Sequence, residues 1–269
     1  MSGFRRQLTE HLRRAAIGWT GGRKHRGVAT ATCLAFCLFI EPVTGFGSRA
    51  ALADHGVATY RVAAPSIIVV EPTWPGYGRA GFGAPPGTAP AGTGVYFGNG
   101  TETRYILTAA HVIARAVRVE TVDPDGARHD AMIVAVDGAR DLAVLKSDLP
   151  APPVTLRRDD PDVGLHACAI GNSFGLGLSF SCGVVSAIHR RDVGFNAIED
   201  FVQTDAAVNP GASGGALVDD RGHLIGLIDG IFTKEADIDA GVNFAVSVPM
   251  ILESLASMRT TSPDIPFPD

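Results

Sequence analysis

From Tyr60 onward the chain is written in short apolar or alternating runs cut by turn residues. Twelve of them stand out: SIIVV, GTGVYF, RYILTAA, AVRVETV, AMIVAV, LAVLK, HACAIG, FSCGVVSAI, FVQTDA, GALV, LIGLI and VNFAVSV. Runs of this length, bounded by Gly, Pro, Asn and Asp, predict strands. Helical spacing is convincing only near the end, in PMILESLASM (Pro249 to Met258), where proline stands at the start and apolar positions recur every three to four residues. The pattern therefore predicts an all-β body closed by a short C-terminal helix. Two stretches read as loops. Glu71 to Gly92 is too rich in Gly and Pro for a sheet interior, and Ser147 to Val154 divides the strands roughly in half. The second stretch is the natural boundary between two β units, 54–150 and 151–258, followed by a tail at 259–269.

Composition agrees with many turns, since 32 glycines and 17 prolines are spread through 269 residues. A hydrophobic content of 46% is ordinary for a globular chain with a core. Charge is uneven. Residues 1–53 hold eight Arg or Lys against Glu10 and Glu41, a balance of +6, while the remainder holds 15 basic and 26 acidic residues, a balance of −11. So acidic a body argues against nucleic acid as a partner, because Lys and Arg contacts to phosphate dominate that affinity. The basic leader runs into the apolar stretch Val28 to Ile40, with small residues following at Ala51 and Ala53. Residues 1–53 thus read as an export signal cleaved after Ala53, which leaves no stable membrane association. The alternatives are a misassigned start or an uncleaved anchor through residues 28–40. Export makes the protein periplasmic or secreted.

Cys33 and Cys37 leave with such a leader, and the remaining pair, Cys168 and Cys182, lies on either side of the turn GNSFGLG on strands expected to form a hairpin. In an exported chain they can form one disulfide. The histidines do not cluster at ligand spacing and there is no CxxC or HExxH, so neither a metal nor another cofactor is expected.

Candidate chemistry centres on DAAVNPGASGGALVDDRGHLIGL, Asp205 to Leu227, where five glycines surround Ser213. Glycine and serine also make plain tight turns, so the stretch alone decides nothing. Upstream, however, YILTAAHVI puts His111 at the end of an apolar strand and RDLAVLK puts Asp141 at the start of another. A serine hydroxyl becomes a useful nucleophile when an imidazole takes its proton and a carboxylate fixes the imidazole tautomer. His111, Asp141 and Ser213 supply one of each. Gly211 would let the backbone turn so that the Gly211 and Ser213 amides face a developing oxyanion. Asp137 is a rival for Asp141, but it precedes GAR in what reads as a turn.

The motifs GTGVYF, YILTAAHVI, DLAVLK, AIGNSFG, CGVVSA, QTDAAVNPGASGGALVDDRGHLIGL and GVNFAVSV, in this order, resemble the protease domain of the HtrA/Deg family of trypsin-like serine proteases. That resemblance implies two antiparallel six-stranded β-barrels with the site in the cleft between them, His111 and Asp141 coming from the first and Ser213 from the second. It also implies a substrate pocket lined by Val208, Ile231 and Phe232, hence a small or medium aliphatic residue before the cleaved bond, in unfolded or misfolded protein substrates. A homo-oligomer, in this family a trimer, follows from the same likeness. Three features depart from the pattern. Ala212 replaces the asparagine usual before the serine, with the expected loss of a hydrogen bond that orders the oxyanion loop. The segment after Met258 is too short for a PDZ domain. The loop FTKEADIDAG carries Glu235, Asp237 and Asp239, read as solvated carboxylates. The reading is an exported serine endopeptidase. Its alternative is a weakly active or inactive binding or chaperone-like module on the same fold, and an esterase would share the machinery.

Overall fold

The computed structural model describes residues 48–75, 91–231 and 241–268. The expected apolar leader segment, Phe232 and the three loop carboxylates Glu235, Asp237 and Asp239 lie outside them. No helix among the described residues is long and apolar enough to cross a membrane.

Twelve strands are described, one for each apolar run. The first six are β1 (Ile67–Thr73), β2 (Gly92–Tyr96), β3 (Thr103–Ala109), β4 (Arg118–Val122), β5 (Arg128–Asp137) and β6 (Leu142–Ala151). They close into an antiparallel barrel in the order β1-β2-β3-β6-β5-β4. The other six are β7 (His166–Gly171), β8 (Ser179–Arg190), β9 (Phe201–Thr204), β10 (Ala216–Val218), β11 (Leu224–Ile231) and β12 (Asn243–Ser247). Their closed order is β10-β11-β12-β9-β8-β7. Closure leaves neither sheet with an open edge. The fold is the two-barrel, chymotrypsin-like architecture.

Neighbouring residues along a strand point to opposite faces, and here both faces are often buried. Ile106, Ala143 and Leu145 pack with Ile68, Val70 and Val119 inside the first barrel, whereas Leu107, Leu142 and Val144 turn outward. Likewise Ala169, Leu217 and Ile225 fill the second barrel while Ile170, Val218 and Leu224 face out. The outward sets meet in one shared cluster that also takes Val248, Ile251 and Leu255. Burial on both faces is why these strands read as continuous apolar runs.

Three α-helices are described beside the strands: α1 (Ser48–Ala63) before β1, α2 (Ala110–Ile113) after β3 and α3 (Val248–Met258) after β12. The last is the helix that the spacing predicts, with Ser247 accepting from Met250 N at 3.4 Å as its cap. By contrast α1 carries no helical signature in the sequence. It crosses the expected leader junction at Ala53, and its low amphipathicity explains the silence of the sequence, because its order rests on tertiary contacts. Thr59 Oγ1 donates to Asp220 O at 2.8 Å, and Tyr60 packs edge-on against Phe180.

Two loop boundaries are corrected. β1 runs through Glu71 and Pro72 to Thr73, because Glu71 pairs with Glu120 and Pro72 with Val119 on β4. β6 continues to Ala151, taking in the first part of the segment expected to separate the barrels. Buried Ser147 bonds Thr121 across the barrel at 3.0 Å, an interior role hidden by the prolines that follow it.

Candidate active site

Asp141 stands between β5 and β6 in the left-handed region, with φ of 55°. Asp tolerates that region better than most side chains. The turn aims its carboxylate at α2. There Oδ1 accepts the His111 backbone N–H at 2.7 Å and Oδ2 accepts the ring Nδ1 in a short contact. Asp141 O also accepts the Ala110 amide at 3.0 Å, so the turn and α2 are tied at three points. With Nδ1 engaged by a carboxylate, the neutral imidazole presents Nε2 as its acceptor. The rival Asp137 is used elsewhere. It accepts from the amides of Ala139 and Arg140 and from Ser254 Oγ, closing its own turn onto α3.

Ser213 lies on the second barrel, in the tight segment before β10. Gly211 and Gly214 have φ of 98° and 82°, and neither has room for a side chain. A Cβ at Gly211 would sit 2.3 Å from Asn172 O, and one at Gly214 would sit 2.2 Å from Thr93 O. Among the described residues the N–H groups of Gly211 and Ser213 meet no acceptor, whereas those around them are used. Ala212 N donates to Asn209 O at 3.0 Å, Gly214 N to Ile228 O at 2.7 Å and Gly215 N to Ala212 O at 2.8 Å. Two free amides flanking Ala212 are what an oxyanion site requires. The Ser213 hydroxyl donates to Asp229 O at 3.1 Å.

Ala212, expected to lack an ordering hydrogen bond, is closely packed. Its side chain is buried with Ala169, Val208, Leu217 and Ile228, and Gly171 presses close enough that a Cβ there would lie 2.9 Å from Ala212 Cβ. The loop is ordered by packing and backbone bonds at this point.

Thr93 on β2, inside the run GTGVYF, joins the two barrels at the site. Its Oγ1 donates to Gly211 O at 2.8 Å and accepts Asn172 N at 2.9 Å, while its own amide donates to Ser213 O at 2.9 Å. Asp229 is a lone acidic residue inside the apolar run LIGLIDGI, a signal visible in the sequence. It is only 6% exposed, and its Oδ1 lies 4.0 Å from His111 Nδ1.

Electrostatics follow from this crowding. Burial works against a charged His111, but the hydrogen bond and charge of Asp141, with the charge of Asp229, outweigh it and raise the imidazole pKa. Burial likewise opposes Asp141 ionisation, yet its bonds to His111 and Asp229 hold the carboxyl below its ordinary value. Asp229 moves the other way. Burial, then the hydrogen bond and charge of Asp141, push it up to about 8.

Of the pocket expected from Val208, Ile231 and Phe232, Val208 is buried in the second barrel and Ile231 ends β11. Cys168 and Cys182 are direct partners across β7 and β8 and are joined by a disulfide. Two groupings among the described residues bring three potential metal-ligand atoms together: His111 with Asp141 and Asp229, and His166 with both cysteines. In the first group His111 and Asp141 are hydrogen-bonded to each other and Asp229 accepts from Asn196, and the two sulfurs of the second are joined in a disulfide.

A family model for the trypsin-like peptidase domain matches residues 92–227. The chain belongs to that family. As a trypsin-like peptidase domain it is similar to the periplasmic serine endoprotease DegP of Escherichia coli K12, with 36% identity over 157 residues, 57% of this chain and 33% of that protein. It is also similar to the HtrA-type protease AlgW solved with a tripeptide, at 38% identity and a TM-score of 0.67, covering 76% of this chain and 63% of that one. The serine endoprotease of Yersinia pestis has 29% identity and a TM-score of 0.59 over 76% of this chain and 66% of that one. The trypsin-like domain therefore spans about a third of the length of the curated relatives it matches.

Proposed function

We propose that this chain is an exported serine endopeptidase that acts through an acyl-enzyme. The observation that carries the reading is the convergence of the His111–Asp141 pair and the Ser213 hydroxyl on one residue, Asp229, with the amides of Gly211 and Ser213 meeting no acceptor among the described residues. Substrate binding would draw the Ser213 hydroxyl from Asp229 O to His111, a rotation in keeping with the loose catalytic contacts of ligand-free enzymes. His111 Nε2 accepts the Ser213 proton as Oγ attacks the scissile carbonyl carbon. The Gly211 and Ser213 amides receive the resulting oxyanion. The imidazolium, steadied by Asp141, then protonates the leaving amine. Water repeats the sequence on the acyl-enzyme and restores Ser213.

By the HtrA/Deg resemblance, Val208, Ile231 and Phe232 are the residues proposed to select a small or medium aliphatic side chain before the cleaved bond, and cleavage-site mapping on unfolded protein that returned mainly Lys, Arg or Glu would overturn that preference. The periplasmic relatives and the basic leader support export, and a trimer rests on family likeness alone. A binding or chaperone-like module is the second reading, favoured by the serine hydroxyl being turned toward Asp229 O. Casein turnover and fluorophosphonate labelling of the wild type and Ser213→Ala decide between them. The protease reading expects both signals in the wild type and neither in the variant. A wild type that neither cleaves nor labels would end it.

A further inference from the structure

Asp229 owes its position to the backbone. On β11, Ile228 pairs with Ala245 and Gly230 with the next residue back, Phe244, which leaves Asp229 as the extra residue of a bulge. Bulges re-aim side chains, and this one turns a carboxyl into the seam between the barrels. Three side chains meet it there. From α2 comes the His111 ring, with Nδ1 at 4.0 Å. From the β5–β6 turn comes Asp141, with a carboxylate oxygen within 4.8 Å of one on Asp229. From the segment before β9 comes Asn196, whose Nδ2 donates to Asp229 Oδ2 at 2.7 Å. Among the described residues no Lys or Arg is within ion-pair distance of Asp229, and His111 is its only cationic neighbour.

Two carboxyl groups crowded this closely in a buried seam favour the state in which one keeps its proton and can donate it to the other. The ionised member must be Asp141, because it accepts from both the backbone and the ring of His111, whereas Asp229 is the more buried and receives only Asn196. We propose that Asp229 is a positioning residue for the His111–Asp141 pair: its protonated carboxyl donates to Asp141 and holds that carboxylate against the imidazole. The proton stays on Asp229 through turnover. At alkaline pH it passes to hydroxide, and two adjacent carboxylates then repel while His111 is held charged by both, so the pair loses its alignment and its base. The pKa of about 8 places that loss just above neutrality.

This inference rests on the peptidase reading only for its kinetic arm. The variants are Asp229→Asn, whose amide donates to Asp141 at every pH, and Asp229→Ala, which removes the donor. On a fluorogenic peptide, the wild type should lose kcat/KM as pH rises through about 8. Asp229→Asn should keep its rate across that range, and Asp229→Ala should lose about tenfold or more in kcat at neutral pH with little change in KM. Independently of activity, the low-field proton resonance of His111 Nδ1 should fade or shift above pH 8 in the wild type and persist in Asp229→Asn. An unchanged alkaline limb in Asp229→Asn, or an Nδ1 resonance whose pH dependence is the same in wild type and variant, would overturn the proposal. Should the protein prove inactive, the resonance still decides it. Thermal unfolding of both variants at pH 6 separates misfolding from a lost hydrogen bond.

Discussion

Gly211 illustrates how a single side chain can be excluded by two independent constraints. Its φ of 98° lies where L residues are strained, and a Cβ would sit 2.3 Å from Asn172 O. Gly211→Ala should therefore cost about 1–3 kcal/mol in urea unfolding. It should also lower kcat about a hundredfold or more by displacing one of the two unpaired amides. A variant with normal stability and normal turnover would show that this loop relaxes freely. Asp141 tells a related story with the opposite outcome, since its positive φ is tolerated and is what turns the carboxylate toward α2. Both residues stand out in the sequence by type and position. Asp229 carries the same kind of information, but only the bulge in β11 reveals that it faces the pair and not solvent.

At the scale of elements, β2 holds the Ser213 segment in place. Thr93 Oγ1 is buried and satisfies both Gly211 O and Asn172 N. Thr93→Val keeps the shape but leaves two buried groups unpaired, at about 1–3 kcal/mol for each. The variant should unfold at lower urea and lose kcat more than it raises KM, measured against wild type on one peptide. Another element tie is the disulfide between β7 and β8, whose cysteines are 14 residues apart. Losing it through paired Cys168→Ala and Cys182→Ala substitutions should cost about 2–3 kcal/mol on the loop-entropy account, read by the same denaturation. The segment before β9 is organised by Glu199, which collects the amides of Val193, Gly194, Phe195 and Asn196. Those four bonds outweigh the burial that opposes its charge and keep its carboxyl below the usual range. They also set Asn196 against Asp229. Nothing in the spacing of this segment announces the nest, because it depends on backbone direction and not on side-chain pattern.

For the whole molecule, these groups fix how stability varies with pH. Asp141 and Glu199 are lowered from 3.8 and 4.5, so their contributions are present above those values and vanish as pH falls through the folded ones. Asp229 is raised from 3.8 to about 8, and the folded state holds a proton the unfolded chain has lost, so stability declines across that interval as pH rises. His111 is raised from 6.5; its contribution is complete below 6.5 and disappears above its folded value. The signs together place the stability maximum between about 3.8 and 4.5, where the gains from Asp141 and Glu199 end and the decline from Asp229 begins, and urea midpoints from pH 3 to 9 would test it. Asp229→Asn should flatten the alkaline side of that curve, and a maximum above pH 8 in the wild type would contradict these assignments.

The sequence by itself determined the strand count, the C-terminal helix and the order of His111, Asp141 and Ser213, because alternation, turn residues and chemical type are local properties. Tertiary structure decided what depends on direction and distance. It alone turned β11 into a bulge that buries Asp229 beside Asp141, and it alone brought Thr93 across to Gly211 and Asn172. It also ordered α1, whose residues carry little helical pattern, through contacts with Asp220 and Phe180 more than a hundred residues away in the chain. Close approach between distant segments is a property of packing, and no local pattern encodes it.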